Sequence, residues 1–349
     1  MKTADFDFRV PERLIPLTPP ELRGERRDHA RLVVLNRAEQ RVEHDRFDRL
    51  GAYLRAGDVL VVNDTMMVHD QLRGWSRCGS FKLILFGHHP DGWHAAVRPA
   101  SRARRGLVIK IGYGELKAVL VKQTIGELWL VRFEHDEIFD FYELLMEHGE
   151  RNVPLYKPLQ ERMETYLNVY AREPGSLEIP SAGLHFTKEL LRRLRREGIK
   201  VVPLTLHIGL TELQRYRNIA EEDVEDHRVG AEWYRVKPWA ARVTNTARRR
   251  GGRIIAVGTS VVRTLETVAR ETKTGARVRA GEGWTELYIY PGHRFKIVDA
   301  VLTNLHEPRS SHLLLVAAFA GRKFTLEAYR EVIREQYRFD LFGDSMLIL

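Results

Sequence analysis

The sequence predicts an α/β fold, a main domain built on parallel strands with an antiparallel β-barrel domain inserted into it. Three observations predict this. Four apolar runs each end in a compact polar cluster, the pattern of parallel strands buried on both faces: DVLVVNDT (Asp58 to Thr65), KVVPLTLHIG (Lys200 to Gly209), RIIAVGTSVVRTLE (Arg253 to Glu266) and FKIVDAVLTNLHEP (Phe295 to Pro308). Stretches with helical spacing alternate with these runs in the second half of the chain. From Met67 to Phe133 the texture changes to short β-type runs punctuated by glycine with no helix between them, which indicates a small antiparallel sheet or barrel. At 349 residues two domains are the better prior. Residues 1–66 with 150–349 are expected to form a discontinuous α/β catalytic domain, and residues 67–149 the inserted barrel.

The elements follow in order. ARLVVLN (Ala30 to Asn36) reads as a strand, HDRFDRLGAYL (His44 to Leu54) has helical spacing, and Gly57 with Asp58 turns the chain into VLVVN. The barrel runs are FKLILFG, GWHAAVRPA, GLVIKIGYG, LKAVLVKQTIG and ELWLVRF. Phe139 to Gly149 is a helix with glycine as terminator, and VPLYKPLQ (Val153 to Gln160) is a linker or substrate-facing loop. Thr187, closing PSAGLHFT, caps a helix that sets Leu190, Leu191 and Leu194 against a face of arginines, and Gly198 ends it. A final helix is expected over Leu326 to Tyr337.

The chain carries a net charge of +9 and an isoelectric point near 9.6. The excess is clustered at Arg102, Arg104 and Arg105, at Arg192, Arg193, Arg195 and Arg196, and at Arg248 to Arg250. Such clusters suit a polyanion such as RNA, because each neutralised phosphate releases a counterion; solvated helix faces are the competing explanation. No segment has the eighteen or more apolar residues of a membrane span, and the first residues are charged rather than apolar. The lone Cys78 forms no internal disulfide, so a cytoplasmic protein is expected. A monomer is the working expectation, with a homodimer left open.

In an open parallel sheet ligands bind beyond the carboxyl ends of the strands, which places Asn63, Asp64, His207, Thr259, Ser260, Arg263, Asn304 and His306 around one pocket. The backbone N–H groups of Thr259 to Val261 would hold a phosphate or carboxylate, with Arg263 adding a bidentate contact. An ordinary helix start capped by Thr259 or Ser260 is the plainer alternative. His185 precedes a helix, and Asp299, a carboxylate in a largely apolar strand, needs a partner or a proton. His88, His89 and His94 fit a hairpin surface better than a metal site. No phosphate loop, dinucleotide fingerprint or H-E-x-x-H is present, and G-T-S lacks the second glycine of a nucleophile elbow, which leaves a serine hydrolase as a weak alternative.

Over nearly its whole length the chain resembles the S-adenosylmethionine:tRNA ribosyltransferase-isomerase family of queuosine biosynthesis. The resemblance rests on DFDFRVPERLIP, RLVVLNR, GDVLVVNDT, PSAGLHFT, LTLHIG, VEDHRVGAEWY, IIAVGTSVVRTLE, IYPGHRFKIVDAVLTNLHEP, LLLVAAFAG and YRFDLFGDSMLI. It implies an α/β domain carrying a β-barrel, S-adenosylmethionine as co-substrate, no metal or redox cofactor, and tRNA bearing 7-aminomethyl-7-deazaguanine as partner. The ribosyl group would pass to that base, with adenine and methionine released.

The sulfonium acidifies the ribose C5′ hydrogens, so this chemistry needs a general base, an acid for departing adenine and a holder for the methionine carboxylate. The expected roles are His207 or His185 as base, Asp299 or His306 on adenine or ribose, and Arg263 with the Thr259–Ser260 turn on the carboxylate. Asn63, Asp64, Thr65, Tyr290 and Asn304 complete the substrate-binding set, and Arg102, Arg104, Arg105, Arg192, Arg195 and Arg196 are the candidates for RNA contact. The chain also departs from the family pattern. Met66 and Gln71 replace two arginines, Lys82 replaces an acid, Leu167 stands in YLNVY, and Leu210, Thr211 and Glu212 replace G-T-F. A paralogue acting on a different acceptor, or an inert RNA-binding protein on the same fold, would account for such losses.

Overall fold

The computed structural model describes residues 1–124, 126–150, 163–209, 217–273 and 275–349. The four apolar runs lie side by side at the centre of a nine-stranded sheet, in the order Lys200–Leu206, Val59–Asn63, Ile254–Val257 and Ala300–Asn304, all parallel. Antiparallel strands extend both edges. Glu232–Val236 and Gly281–Thr285 lie beyond Lys200–Leu206, while Ser345–Ile348, Arg31–Asn36 and Arg41–Arg46 lie beyond Ala300–Asn304, the Arg31–Asn36 strand running parallel to Ser345–Ile348.

Successive side chains on a strand point to opposite faces, and each face here meets its own core. Val59, Val61, Ile254, Ala256 and Val301 pack beneath the helices Pro238–Arg249, Thr259–Thr267, Ser311–Ala320 and Arg322–Arg334. Leu60, Val62, Ile255, Val257 and Leu302 pack against the helix Lys188–Arg196 and the 3₁₀ turn Phe47–Tyr53. Burial on both sides explains why these strands are continuously apolar.

The predicted helix over His44 to Leu54 is a strand followed by that 3₁₀ turn. Arg41–Arg46 is claimed by antiparallel pairing with Arg31–Asn36, which leaves only Phe47 and Leu50 to fold over the core. Thr187 does cap Lys188–Arg196, its side chain accepting from the Leu190 N–H, and the last helix begins earlier than expected, at Arg322.

Six antiparallel strands close the barrel: Gln71–Ser76, Gly79–His89, Gly92–Arg98, Trp129–His135, Leu116–Gln123 and Val108–Ile111, the last pairing back to the first. Its interior is filled by Leu72, Leu83, Leu85, Val97, Ile109, Leu120 and Val131. The Val153 to Gln160 loop and the departures at Leu210 to Glu212 lie outside the described residues. No described helix is long and apolar enough to cross a membrane.

Candidate active site

The carboxyl ends of the parallel strands are bound to one another by side chains from the predicted clusters. Asn63 brackets Leu206, its amide donating to the Leu206 carbonyl at 2.9 Å and its oxygen accepting the Leu206 N–H at 3.0 Å; the same amide reaches Ser260 Oγ at 3.3 Å. Asp64 accepts from Thr205 Oγ1 at 2.7 Å, and its burial raises its pKa. Ser181 donates to Asn304 Oδ1 at 3.3 Å, while the Asn304 amide donates to the Asp340 carbonyl at 3.0 Å. Gly258 occupies the N-cap of Thr259–Thr267 with no side-chain cap, so Thr259 and Ser260 lie inside the helix and the first-turn N–H groups face the crevice without intrahelical acceptors.

His207 is the centre of the cluster. Its ring stacks on His88 of the barrel and on Trp233 of the Glu232–Val236 strand, each 5.0 Å away and within 18° of parallel. Its Nδ1 lies 2.8 Å from Thr65 Oγ1, and the Thr65 hydroxyl has the Glu173 carbonyl at 3.4 Å as acceptor for its own proton. When the Thr65 hydroxyl gives its proton to Glu173, Nδ1–H donates to Thr65 and Nε2 carries the lone pair; when Thr65 donates to Nδ1, Nε2 carries the proton. Burial, reinforced by His88 and Arg235, pushes the pKa down to about 3, so the ring is neutral at pH 7. A Cβ on Gly175 would come within 2.7 Å of Nε2, so this close approach requires glycine; the Gly175 carbonyl in turn accepts from His88 Nε2 at 2.8 Å. Around the ring, Glu173 pairs with Arg235 and with Lys237, the latter at 2.6 Å, and these partners hold its carboxyl below the usual range.

Other predicted residues lie elsewhere. Asp299 precedes its strand and accepts the Ile254 N–H at 2.8 Å, which sets it at the amino ends of the parallel strands, across the sheet from His207. It cannot serve adenine or ribose there. His306 bonds Thr303 Oγ1 at 2.8 Å and takes the Tyr329 hydroxyl on its backbone N–H, on the face opposite Asn304, because Thr303 and Asn304 alternate. His185 is buried against Phe47 at 5.0 Å, with its pKa pushed down to about 4 by burial; it is a core side chain. Arg263 is consumed by Glu232 and by the carbonyls of Leu287, Thr285 and Gly230. Tyr290 packs on Tyr288, 5.1 Å away.

Arg195 and Arg196 end a helix that turns into the start of Lys200–Leu206, so this exposed cluster, with Arg192, sits toward the edge remote from the site. Arg102 and Arg104 contact Cys78 on the barrel, and Arg105 is exposed. Among the described residues no group of three or more His, Cys, Asp and Glu side chains is placed to hold a metal ion.

The histidines read as a hairpin surface are in fact at the junction of barrel and sheet. His94 is buried with Nδ1 3.1 Å from Thr124 Oγ1, and burial pushes both His88 and His94 down to about 4. Gly209 approaches the backbone of Gly87, where a Cβ would meet Gly87 Cα at 2.8 Å. Beside the junction a cleft of about 670 Å³ is lined by His89, His94, Lys122, Thr124, Trp284 and Glu286, among others. Trp284 pairs with Trp233 in register, so the cleft begins next to the His207 stack. Sequence reasoning missed His88, Gly175, Trp233 and Glu232. Of these, Glu232 and Trp233, in VGAEWY, stood in a segment already singled out, and His88 reads in sequence as hairpin surface.

A family model described as "Queuosine biosynthesis protein" matches residues 3–348. The chain is 43% identical over its full length to the S-adenosylmethionine:tRNA ribosyltransferase-isomerase of Symbiobacterium thermophilum, and 44% identical to the protein of the same name from Moorella thermoacetica, each covered completely. It is also similar to the crystal structure of S-adenosylmethionine tRNA ribosyltransferase from Thermotoga maritima, with 34% identity, a TM-score of 0.56, and 99% of this chain and 100% of that one covered. With a parallel-strand crevice, a six-stranded barrel and these end-to-end matches, the chain belongs to the queuosine biosynthesis protein family.

Proposed function

We propose that this enzyme transfers and isomerises the ribosyl moiety of S-adenosylmethionine onto 7-aminomethyl-7-deazaguanine in the tRNA wobble position, forming epoxyqueuosine and releasing adenine and methionine. The observation that carries this reading is the neutral His207, bonded through Nδ1 to Thr65 and held at the strand ends of a chain similar throughout to enzymes named for that activity. His207, in the tautomer that leaves the Nε2 lone pair free, removes a C5′ proton; the carbanion opens the C4′–O4′ bond, and the O4′ electron pair expels adenine from C1′. The acceptor amine adds to C1′ with loss of its proton while O4′ returns to C4′, which restores the C5′ carbanion; C5′ then bonds to C1′ as the C1′–O4′ bond breaks, and O4′ closes on C5′ as the epoxide and expels methionine. Asp64, whose burial favours the protonated form, donates to departing adenine. The first-turn N–H groups of Thr259 to Val261 take the methionine carboxylate without the Arg263 contact expected beside them.

The test is mass spectrometry of tRNA carrying the 7-deazaguanine base after incubation with S-adenosylmethionine, with adenine release followed in parallel. A mass gain in the RNA is expected, and failure to bind S-adenosylmethionine would overturn the reading. A second reading, the same donor with a different acceptor, is favoured by Met66, which adjoins Thr65 where the family pattern has arginine, and by Gln71, whose buried amide nitrogen has no hydrogen-bond partner among the described residues. Release of adenine and methionine without a mass gain on this RNA would select it.

A further inference from the structure

We infer that the outer wall of the barrel, centred on Trp75, is a docking platform for an unpaired RNA segment; this rests on the RNA-modifying reading above and adds a second contact surface to it. Along Gln71–Ser76, Leu72 and Gly74 face the barrel interior, while Arg73 and Trp75 face outward, Trp75 with 48% of its surface exposed. Cations lie across from both. Arg73 lies opposite Lys82, which lies opposite Arg98; Trp75 lies opposite Ser80 on one side and Lys110 on the other, and Lys110 lies opposite Lys117, which has Glu134 on its far side. Lys110 Nζ sits 5.0 Å from the centre of the Trp75 ring.

Like charges directly opposite on neighbouring strands destabilise a sheet. Some of this charge is answered, since Arg73 reaches Glu150 at 3.2 Å and Arg98 reaches Glu127 at 3.5 Å. Among the described residues no carboxylate lies within ion-pair distance of Lys82, Lys110 or Lys117. A wall that keeps adjacent unpaired cations around an exposed indole has the composition of a single-strand binding surface: phosphates take the cations and a base stacks on the ring. Lys82 and His88 share one strand, six residues and roughly 20 Å apart. An RNA lying along that strand therefore spans the platform and the site together.

The probes are a fluorescein-labelled RNA hairpin with an unpaired loop and a fully paired duplex of the same stem, titrated at several salt concentrations. Trp75→Ala is expected to weaken hairpin binding about tenfold, the order of one lost base stack, and to leave the duplex unchanged, with Trp75→Phe restoring most of the loss. Lys82→Glu with Lys110→Glu is expected to weaken both probes and to flatten the salt slope for the hairpin by about 1.4, from two phosphate contacts. Binding of S-adenosylmethionine, measured by calorimetry, should be unchanged in every variant and verifies that each is folded. Variants that bind S-adenosylmethionine normally and keep wild-type RNA affinity and slope overturn the platform, as does an equal loss on both probes from Trp75→Ala. If wild type binds the hairpin but not S-adenosylmethionine, the catalytic reading fails while the platform stands.

Discussion

His207 and His185 are indistinguishable by local pattern, since each follows a short apolar stretch near a turn, yet only one faces the crevice. The difference lies in what surrounds the ring: His207 has Thr65 on Nδ1 and the rings of His88 and Trp233 stacked on it, whereas His185 is enclosed by Phe47 and its neighbours in the lower core. His207→Ala is expected to reduce adenine release by about 10²–10⁴-fold, the range for losing a general base. A base with a pKa of about 3 is fully neutral through pH 5–8, so the acid limb of kcat/KM should fall near or below pH 4; a limb centred at 6.5 would remove His207 from that role. Arg263 supplies the contrasting case. Its pairing with Glu232 is buried on both sides, and breaking such a pair by deleting one partner costs about 3–5 kcal/mol. Arg263→Met should therefore lower the urea midpoint sharply, with partial recovery in the Arg263→Met, Glu232→Gln double variant. A raised KM with unchanged stability would instead show that the guanidinium holds substrate.

The four parallel strands were legible as elements because double-sided burial demands unbroken apolar runs, and their polar ends were legible as a site because one sheet edge collects every carboxyl end. Strand direction also accounts for what was misread. Asp299 stands before Ala300–Asn304 and so belongs to the other edge, and alternation along that strand sends Thr303 and His306 to the face away from Asn304. The ribbon in which Glu173–Ser176 pairs with Thr65–Met67 carried no apolar run and could not be seen in the sequence, although it delivers Gly175 to the ring of His207. Gly175 has φ of +139°, a conformation strained for any other residue, and a methyl there would collide with Nε2. Gly175→Ala should therefore displace the imidazole, and a loss of adenine release exceeding the loss in thermal stability is the expected signature. Retention of full activity would show that the ribbon has slack and that Nε2 is aimed elsewhere.

Across the whole molecule, barrel and sheet meet through contacts between residues distant in the chain, His88 with His207 and Gly87 with Gly209, and no local pattern announces such a junction or the cleft beside it. What the junction and the cores share is neutral histidine. Burial pushes His88, His94 and His185 down to about 4, His207 and His312 down to about 3, and His306 well below its ordinary value. In the unfolded chain each binds a proton near pH 6.5, and in the folded protein not until far lower, so the unfolded state gains protons first as pH falls. Their contribution is complete well above pH 6.5 and is lost progressively toward pH 4, at about 1.4 kcal/mol per histidine by pH 5.5 and roughly 8 kcal/mol for the six together. Carboxylates held low by their partners, such as Glu266 and Asp58, lose their contribution only below about pH 4.5, whereas Asp64 and Asp344, raised by burial, favour folding as pH falls and offset part of the histidine loss. Urea unfolding at pH 7.5 and pH 5.5 should show the loss. His185→Leu, which removes one buried imidazole without touching the crevice, should reduce the acid loss by about 1.4 kcal/mol relative to wild type between those two pH values. A His185→Leu variant as acid-sensitive as wild type would mean that burial does not keep these rings neutral, and a protonated His207 could not act as the base.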